Sequence, residues 1–460
     1  MVTTLKVVRI TTVFGFIGLT GVSALAAGSA AAEPDVTFTK DVAPILQRSC
    51  QSCHRPGALA PISFETYEDA RPWARAMKQK TALREMPPWF IEKNIGVQRF
   101  KDDLSLTDEE IATIGAWADA GAPRGNPADM PPLVQWASAD EWTIGTPDLI
   151  VSSPEMRAPA VSADYHDELG PVPTGLTEDR YVKAVEVKEV RMWDEATKAA
   201  ARAKARSGFG NFTIHHIGVH SGEVLGTTGL GDEAREDRSR FRMVYSLGQN
   251  ATIYPDDTGI TLAADSELRF TVHLYSSGVE IPVRADVGFT FHPKGYEPKY
   301  KQSGFIAMGN IGDGLDIPAG EDDVRFDGFY TMPQHGVLTT YEPHMHSSGK
   351  RMCVEAVYPD QSREMLNCSA YDHSWARVYV YEDDAAPILP KGTVLHIVGW
   401  YDNTQKNKNV VDPRNWKGWG NRSIDDMFLL LPKVTFLDEE QYAEVVAERD
   451  QGLAATNQQN

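Results

Sequence analysis

Short runs of alternating apolar and polar residues dominate the chain beyond about residue 148, and turns rich in Gly, Pro and Asp separate them. Such runs predict β-strands, and a long series of them predicts an all-β sandwich architecture. In the clearest run, 268–275, His273 lies on the face opposite four apolar residues, namely Leu268, Phe270, Val272 and Leu274. Because the β region covers about 300 residues, we expect two sandwiches.

Helical patterns are found mainly before residue 130. Thr39 is a predicted N-cap for a short helix that leads to Cys50 and carries Val42, Ile45 and Leu46. Thr107 and Glu110 have the spacing of a capping box. They precede an apolar stripe of Ile111, Ile114, Trp117 and Ala118, and Gly121 with Pro123 is predicted to end this helix.

The first 32 residues have the pattern of a signal peptide. Lys6 and Arg9 precede an apolar stretch, 10–27, and Ala30-Ala31-Ala32 supplies the small residues of a cleavage site. A membrane anchor is the alternative, but glycine, serine and threonine dilute the stretch. We expect cleavage near Ala32 and a periplasmic mature chain without stable membrane insertion.

Charge and composition set further limits. The formal charge is −19, and removal of Lys6 and Arg9 with the signal peptide makes it −21. Nucleic acid and anionic membrane surfaces are therefore not expected partners. The Ala, Lys and Arg content of 193–206 predicts a helix inserted between strands. The expected organisation is a signal peptide (1–32), an amino-terminal domain (33–130), a linker (131–169), two sandwiches (170–300 and 301–440) and a frayed tail (441–460).

Cys50-Gln51-Ser52-Cys53-His54 has the spacing at which two thiols and an imidazole hold one haem covalently. Cys50 and Cys53 would form thioethers to the haem vinyl groups, and His54 would be an axial ligand of the iron. A thiol redox pair or half of a zinc site is the alternative. However, no βαβ pattern surrounds the motif and no second Cys-x-x-Cys follows it.

With its flanking helices, the region of about residues 35–130 resembles a small all-α class I cytochrome c domain, whose first and last helices cross. The resemblance is most specific at the haem motif. In that family the sixth haem ligand is usually a methionine from a proline-rich loop. The resemblance therefore implies Met86, in Met86-Pro87-Pro88-Trp89. Met77 competes, but it lies in a helical pattern, 70–83, where methionine is more often part of the core.

Two cysteines remain, Cys353 and Cys368. Strand-like segments flank the turn signal Pro359-Asp360-Gln361-Ser362, which predicts a hairpin. Folding the hairpin between Asp360 and Gln361 places the two cysteines opposite each other. Facing positions are close enough for a disulfide, which an exported protein can form. Two free buried thiols are the alternative.

Histidines cluster in three places in the β region. They are His215, His216 and His220 in Ile214-His215-His216-Ile217-Gly218-Val219-His220, then His273, and then His344 and His346 in Pro343-His344-Met345-His346. The two imidazoles of a His-x-His pair share one face of an extended segment. They can therefore bind one metal ion without distortion.

These histidines resemble the copper-binding motifs of the copper type II, ascorbate-dependent monooxygenases, the family of peptidylglycine α-hydroxylating and dopamine β-monooxygenases. The resemblance covers about residues 170–438 and implies two jelly-roll-like β-sandwiches with two copper ions. The implied ligands of the electron-transfer copper are His215, His216 and His273. The implied ligands of the oxygen-binding copper are His344, His346 and Met427, which follows Asp425-Asp426. Imidazole with thioether suits a copper ion that cycles between Cu(I) and Cu(II). Scattered strand histidines with Met427 in the core are the alternative.

Adjacent histidines raise a geometric difficulty. In a regular strand His215 and His216 point to opposite faces, so both can bind one ion only if the strand is bulged or ends there. His216 and His220 share a face, which makes His220 a rival ligand. The remaining histidines are interpreted as structural or pocket-lining: His166, His292, His335, His373 and His396.

The sequence departs from the peptide-hydroxylating members of this family at two substrate positions. They carry an arginine two residues before the His-x-His pair and a tyrosine four residues after the methionine, whereas this chain has Glu342 and Leu431. A peptide carboxylate would meet Glu342 instead of a cation. An amine or an uncharged molecule, including an aromatic one, is left open as the small organic substrate.

The motifs together predict a periplasmic copper monooxygenase that acts on a small-molecule substrate and O₂. The fused haem would relay electrons from a periplasmic electron donor to the copper of His215, His216 and His273. One alternative is a haem-copper electron-transfer protein without oxygenase activity. The other is a catalytically inactive β-sandwich binding protein that keeps its metals as structural elements.

Overall fold

A computed structural model describes residues 35–457 except for 57, 61, 137–140, 163–165, 205–212, 222–240, 247–250, 277 and 310–313. The predicted signal peptide, 1–32, lies outside the described residues. Residues Val36–Asn460 form one compact unit, and the following description concerns that unit. Among the helices of the described residues, none is both long and apolar enough to cross a membrane.

Helices occur at the two ends of the described chain and once between strands. They are a π-helical turn Phe38–Val42, α1 Ala43–Ser49, α2 Tyr67–Ala70, a 3₁₀ turn Arg71–Trp73, α3 Ala74–Ala82, α4 Asp108–Asp119, a 3₁₀ turn Pro127–Asp129, α5 Glu195–Lys204 and α6 Glu439–Asn457. α5 confirms the helix predicted within 193–206.

The amino-terminal helices pack around one apolar core. The Phe38 and Trp117 rings lie 5.9 Å apart, so the first helix contacts α4. The capping box of Thr107 and Glu110 is confirmed at the start of α4. The predicted cap at Thr39 is wrong, because Thr37 is the N-cap, and its N–H donates to Asp41 Oδ2 at 2.7 Å. Met77 is buried in this core, as its helical position predicts.

Strands are the main regular structure of the remaining chain. The first group is β1 Leu149–Ser152, β2 Met156–Ala158, β3 His166–Pro173, β4 Arg180–Arg191, β5 Ile214–Ser221, β6 Arg242–Ser246, β7 Ala251–Ile253, β8 Thr258–Leu262, β9 Glu267–Leu274 and β10 Ile281–Phe291. The second group is β11 Tyr300–Phe305, β12 Met308–Gly309, β13 Asp322–Thr331, β14 His335–Leu338, β15 Thr340–Tyr341, β16 Pro343–His344, β17 Gly349–Val357, β18 Arg363–Ala370, β19 Tyr379–Val380, β20 Ile388–Leu389, β21 Val394–Asp402, β22 Leu429–Leu430 and β23 Lys433–Leu437.

The first group of strands forms two layers. One layer contains β1, β2, β4, β7, β8 and β10, and the other is the four-stranded sheet β3-β9-β5-β6. The inward-facing residues of both layers share one buried core, which includes Val185, Val219, Phe270 and Phe289. This arrangement agrees with the predicted β-sandwich architecture, since alternate residues of each strand enter the core.

A second core lies under the second group of strands. The four-stranded sheet β13-β21-β17-β18 covers it, together with β11, β23, β14 and β20, and its buried residues include Leu338, Met352, Leu395 and Phe428. Parallel pairing of Tyr300 with Thr258 joins β11 to β8. The two cores therefore share one continuous ten-stranded sheet.

Two predicted boundaries differ from the structure. The segment predicted as a linker, 131–169, contains β1, β2 and the start of β3, because Leu149–Ser152 pairs along β10. The predicted tail, 441–460, lies mostly within α6. This helix starts with a reciprocal cap, in which Gln441 N–H donates to Asp438 Oδ1 and Asp438 N–H donates to Gln441 Oε1. Arg449 then donates to the Ala386 carbonyl at 3.1 Å and fixes the helix to the sandwich.

The disulfide between Cys353 and Cys368 is confirmed. The two cysteines are register partners on β17 and β18. The hairpin loop is centred on Asp360, half a residue before the predicted centre between Asp360 and Gln361. A bulge at Leu366, between the pairs of Val354 and Glu355, restores the predicted register.

The segment after α3 packs on the second sandwich. Ile91 forms a β-bridge with Ser369, and Phe100 forms one with Tyr381. Arg351 makes a two-pronged ion pair with Glu92, with nitrogen–oxygen distances of 2.5 and 2.8 Å. The amino-terminal helices are thus attached to the strands that carry the Cys353–Cys368 disulfide.

Candidate functional site

The predicted difficulty at His215 and His216 is resolved by a β-bulge. Ile214 pairs with Leu274 and His216 pairs with His273, so the register of β5 against β9 shifts by one residue at His215. A bulged residue leaves the regular alternation of faces. Both imidazoles can therefore lie on one side, and their Nδ1 atoms are 3.3 Å apart.

Glu189 of β4 holds the bulge in place. Its carboxylate accepts hydrogen bonds from the backbone N–H of Thr213 and of Ile214, each at 2.8 Å. Arg191 lies beside this carboxylate, with its Nε 2.8 Å from Glu189 Oε1. Because the two N–H groups immediately precede His215, this contact fixes where the histidine pair begins.

The second histidine group lies on the short pairing of β16 with β22. His344 pairs with Leu429, and extension of the same register by two residues brings His346 opposite Met427. The buried Asp426 reinforces this placement, since its Oδ1 accepts from His346 N at 2.8 Å and from Met427 N at 3.0 Å. The two backbones that carry the proposed imidazole and thioether ligands are thus joined by one carboxylate.

The two histidine groups come together in one cluster. The His216 ring centroid lies 4.2 Å from that of His273 and 6.3 Å from that of His344. The His273 and His346 centroids are 6.5 Å apart, and those of His344 and His346 are 5.5 Å apart. Residues more than 120 positions apart in the chain therefore form one imidazole cluster.

His373 is a further member of this cluster. Its ring centroid lies 5.5 Å from that of His215 and 5.7 Å from that of His346. It lies in the loop after β18, where Tyr371 Oη donates to the carbonyl of Met345, between His344 and His346. The sequence shows no motif at His373, because this loop reaches the cluster only through tertiary packing.

The electrostatics of the cluster favour neutral imidazoles. Burial, followed by the charge of neighbouring His373, lowers the pKa of His215 to about 3 and that of His344 to about 4. Burial and the surrounding histidines also hold the pKa of His216 and His346 well below the usual value. Neutral imidazole is the form that binds metals.

Two ring nitrogens are suitably placed for a metal. His346 Nδ1 lies 3.0 Å from the carbonyl of Arg422, which fixes the proton on Nδ1 and leaves Nε2 to bind a metal. Nε2 of His215 is buried and has no hydrogen-bond partner among the described residues. Imidazole nitrogens suit copper, and also zinc, iron and nickel.

The cluster is nevertheless not arranged as a finished metal site. Within the described ranges, no three side chains from His, Cys, Asp and Glu are grouped so that they could hold an ion. The His216 and His273 rings are stacked on each other, with a 30° angle between their planes. Metal binding here therefore requires ring rotations. The Met427 side chain packs against the buried cluster of Leu429 and Leu431.

The other histidines lie in different surroundings. His220 pairs with Arg242 and Arg269 at the far end of β5, four residues beyond His216, and burial followed by these two charges lowers its pKa to about 4. His292 bonds the Thr258 carbonyl, His335 lies against Glu439, and His396 contacts both Asp327 and Glu355. The backbone of His166 pairs with that of His273.

The haem motif follows α1 directly. His54 Nδ1 lies 3.1 Å from the carbonyl of Ile62, so the proton on Nδ1 is fixed and Nε2 is left for iron. Phe64 stacks on the His54 ring at a centroid distance of 4.2 Å. Burial raises the pKa of Cys50 to about 12, with a smaller contribution from Cys53. Both cysteines are free thiols, so they fit thioether formation.

Met86 lies on the wall of a cavity of about 510 Å³ between the amino-terminal helices and the second sandwich. The same cavity is lined by Trp89, Ile111, Tyr371 and Asp372. The described residues that line this cavity include none from the haem motif. Met86 therefore stays a predicted ligand. Tyr371 and Asp372 connect this cavity to the loop of His373.

Comparison with known proteins assigns no family, because no protein-family model matches the chain and a search of curated proteins found no match.

Proposed function

We propose that this protein is a periplasmic copper-dependent monooxygenase with its own c-type haem. The observation that carries the proposal is the single cluster formed by His215, His216, His273, His344 and His346. Met427 joins the proposal because Asp426 accepts hydrogen bonds from the backbone N–H groups of both His346 and Met427. Copper bound at these residues would supply one-electron redox chemistry and O₂ activation for hydroxylation of a C–H bond.

The protein residues around the cluster hold and orient the ligands. Glu189 fixes the bulge of His215, and Asp426 joins the backbones of His346 and Met427. Lys417 Nζ donates to Ser347 Oγ at 2.5 Å, and Ser348 N–H donates to Asp426 at 3.0 Å. These contacts rigidify the segment after the His-x-His pair, so the positions of the imidazoles do not depend on the metal alone.

The haem would be held by Cys50 and Cys53 as thioethers and by His54 as an axial ligand, with Met86 as the proposed sixth ligand. It would supply single electrons, received from a periplasmic donor. The close contact of the amino-terminal segment with β18 supports this role, because β18 leads directly into the loop of His373.

We propose that the substrate is a small organic molecule that does not have to be bound through a carboxylate group. Glu342 is buried, and burial raises its pKa to about 7, with buried Lys433 acting in the opposite direction. Leu431 N–H donates to the Glu342 carbonyl at 2.9 Å, so both departures from the peptide-hydroxylating pattern lie side by side. C-terminal glycine peptides are therefore not expected to be substrates.

A haem-copper electron-transfer protein without oxygenase activity is the second candidate. The His216 and His344 ring centroids are 6.3 Å apart, and this short separation favours rapid electron exchange between metal ions bound at the two histidine groups. Such exchange does not need a substrate. This candidate predicts copper and haem in the protein but no product that depends on O₂.

The decisive variant is Met427→Ala, with Met332→Leu as a matched control in the buried core. A thioether favours Cu(I), so we expect the variant to lose hydroxylation and the sulfur signal in Cu(I) X-ray absorption. Its haem spectrum and its copper at His215, His216 and His273 should be unchanged. The readouts are copper and haem per chain, and product formed per O₂ consumed during a metabolite screen with reductant.

If the wild-type protein binds copper and haem but forms no hydroxylated product when O₂ is supplied, the electron-transfer candidate is favoured. Hydroxylation by Met427→Ala at the wild-type rate would show that Met427 is a packing residue and would contradict the proposed ligand set. If the protein binds neither copper nor haem, both candidate functions are contradicted.

A further inference from the structure

Three buried N–H groups near the haem motif have no hydrogen-bond acceptor within the part of the chain that the structure describes. They are Nε of Arg55, Nε1 of Trp136 and Nε of Arg377. Native proteins rarely leave buried donors unsatisfied, and a buried guanidinium also needs a counter-charge. Three such donors in one region therefore indicate an acceptor that the polypeptide does not itself supply.

These donors come from different parts of the chain. Arg55 follows His54 directly, and its Cζ lies 5.1 Å from the centre of the Trp136 ring. Arg377 belongs to the loop between β18 and β19 of the second sandwich, is only 7% exposed, and places its Cζ 5.9 Å from the centre of the Trp89 ring. Two aromatic rings thus hold the two guanidinium groups.

Both guanidinium groups lie beside residues of the predicted haem site. Arg55 directly follows His54, and Arg377 contacts Trp89 of the Met86-Pro87-Pro88-Trp89 motif. Two cations and an indole N–H around a covalent haem motif form a site for carboxylates.

We propose that Arg55, Trp136 and Arg377 bind the propionate carboxylates of the haem that Cys50 and Cys53 hold. This inference rests on the haem of the proposed function and adds a residue from the second sandwich to the haem site. Arg377 would supply a charge-assisted hydrogen bond across the contact between the amino-terminal helices and the sandwich.

The loop that carries Arg377 also reaches the imidazole cluster. Arg377 lies four residues after His373, so their Cα atoms are at most about 14 Å apart along the chain. Tyr371, in the same loop, donates to the Met345 carbonyl between the two histidines of the second group. One loop, 371–378, therefore extends from the proposed carboxylate site to the imidazole cluster.

The test compares the haem midpoint potential of the full-length, haem-loaded protein with those of Arg377→Gln and Arg377→Lys. Removal of a positive charge beside the haem stabilises the ferric form, so the potential of Arg377→Gln should fall. Arg377→Lys keeps the charge and should shift the potential less. Arg99→Gln is the matched control, since Arg99 forms an exposed ion pair with Asp384 in the same contact region. It should leave the potential unchanged.

The outcomes separate this inference from the proposed function. Wild-type protein without covalent haem would overturn both the haem assignment and the carboxylate site. Covalent haem with an unchanged potential in Arg377→Gln would overturn the carboxylate site alone. If neither Arg377 variant incorporates haem, Arg55→Gln and Arg55→Lys are titrated instead, and an unchanged potential in Arg55→Gln again overturns the inference.

Discussion

The hydrogen bonds of the imidazoles distinguish His54 and His346 from His396. His54 and His346 each place Nδ1 near a backbone carbonyl, which leaves the other nitrogen for a metal. His396 instead lies between the carboxylates of Asp327 and Glu355, and both of its ring nitrogens are engaged. The distinction depends on contacts that a sequence motif does not contain.

Our first residue-scale prediction concerns His373, which lies beside rings from both histidine groups. His373→Ala should change the copper coordination signal in electron paramagnetic resonance, because it removes an imidazole from a buried cluster. His396→Ala is the matched control and should leave that signal unchanged. Identical spectra for His373→Ala and wild type would show that His373 only fills space beside the cluster.

At the scale of elements, the β-bulge of β5 allows the imidazoles of His215 and His216 to lie on the same side of the strand. Our second prediction is that Glu189→Ala disturbs copper binding at His215 and His216, because two backbone N–H groups lose their acceptor. The loss should lower the free energy of unfolding by about 2 kcal/mol. Copper content and urea unfolding are the measurements.

Glu186 provides a matched control on the same strand. Its carboxylate also accepts from two backbone N–H groups, those of Thr143 and Ile144, but these lie in a different segment. Glu186→Ala should therefore lower stability to a similar degree while copper content is preserved. Equal copper loss in both variants would mean that general destabilisation, and not the bulge, controls the site.

Elements with strong local signals could be predicted from the sequence, and elements defined by tertiary contacts could not. The α4 capping box and the pairing of Cys353 with Cys368 follow from residue spacing. The need for a bulge at His215 follows from the two-residue period of a strand. By contrast, β1 lies in a proline-rich stretch, and its strand state depends on pairing with β10.

The same limit applies to the candidate site. His-His and His-x-His are local patterns. The first pair meets His273 because β5 pairs with β9, whereas His344 and His346 lie in and just after β16, in another sheet, and reach them by tertiary packing. His373 and Arg377 have no such pattern, since their loop is irregular and its position is set by the packing of its neighbours. Met86 is predicted as a haem ligand from its loop motif, and the structure places it on the wall of a cavity that Trp89 also lines.

At the scale of the whole molecule, the amino-terminal part and the second sandwich contact each other directly. The contacting residues lie outside the segment 131–148 that connects the amino-terminal part to the strands. Two β-bridges and the Arg351–Glu92 ion pair cross this interface. Asn367 Nδ2 also donates to the Val97 carbonyl at 2.7 Å. The chain is therefore tied together by contacts that do not depend on residues 131–148.

Our third prediction is that a cut in the connecting segment does not release the amino-terminal part. A site-specific protease sequence inserted after the exposed Val134 should give two fragments that co-elute in size-exclusion chromatography, because the interface remains. Arg351→Ala should weaken the association by about 1 kcal/mol, roughly fivefold, since the ion pair is partly exposed to solvent. If the fragments of the unsubstituted protein separate after cleavage, the interface does not hold the two parts together. In the intact chain the proposed haem would then be linked to the histidine cluster only by the connecting segment, and the proposed electron transfer would require encounters between two independent domains.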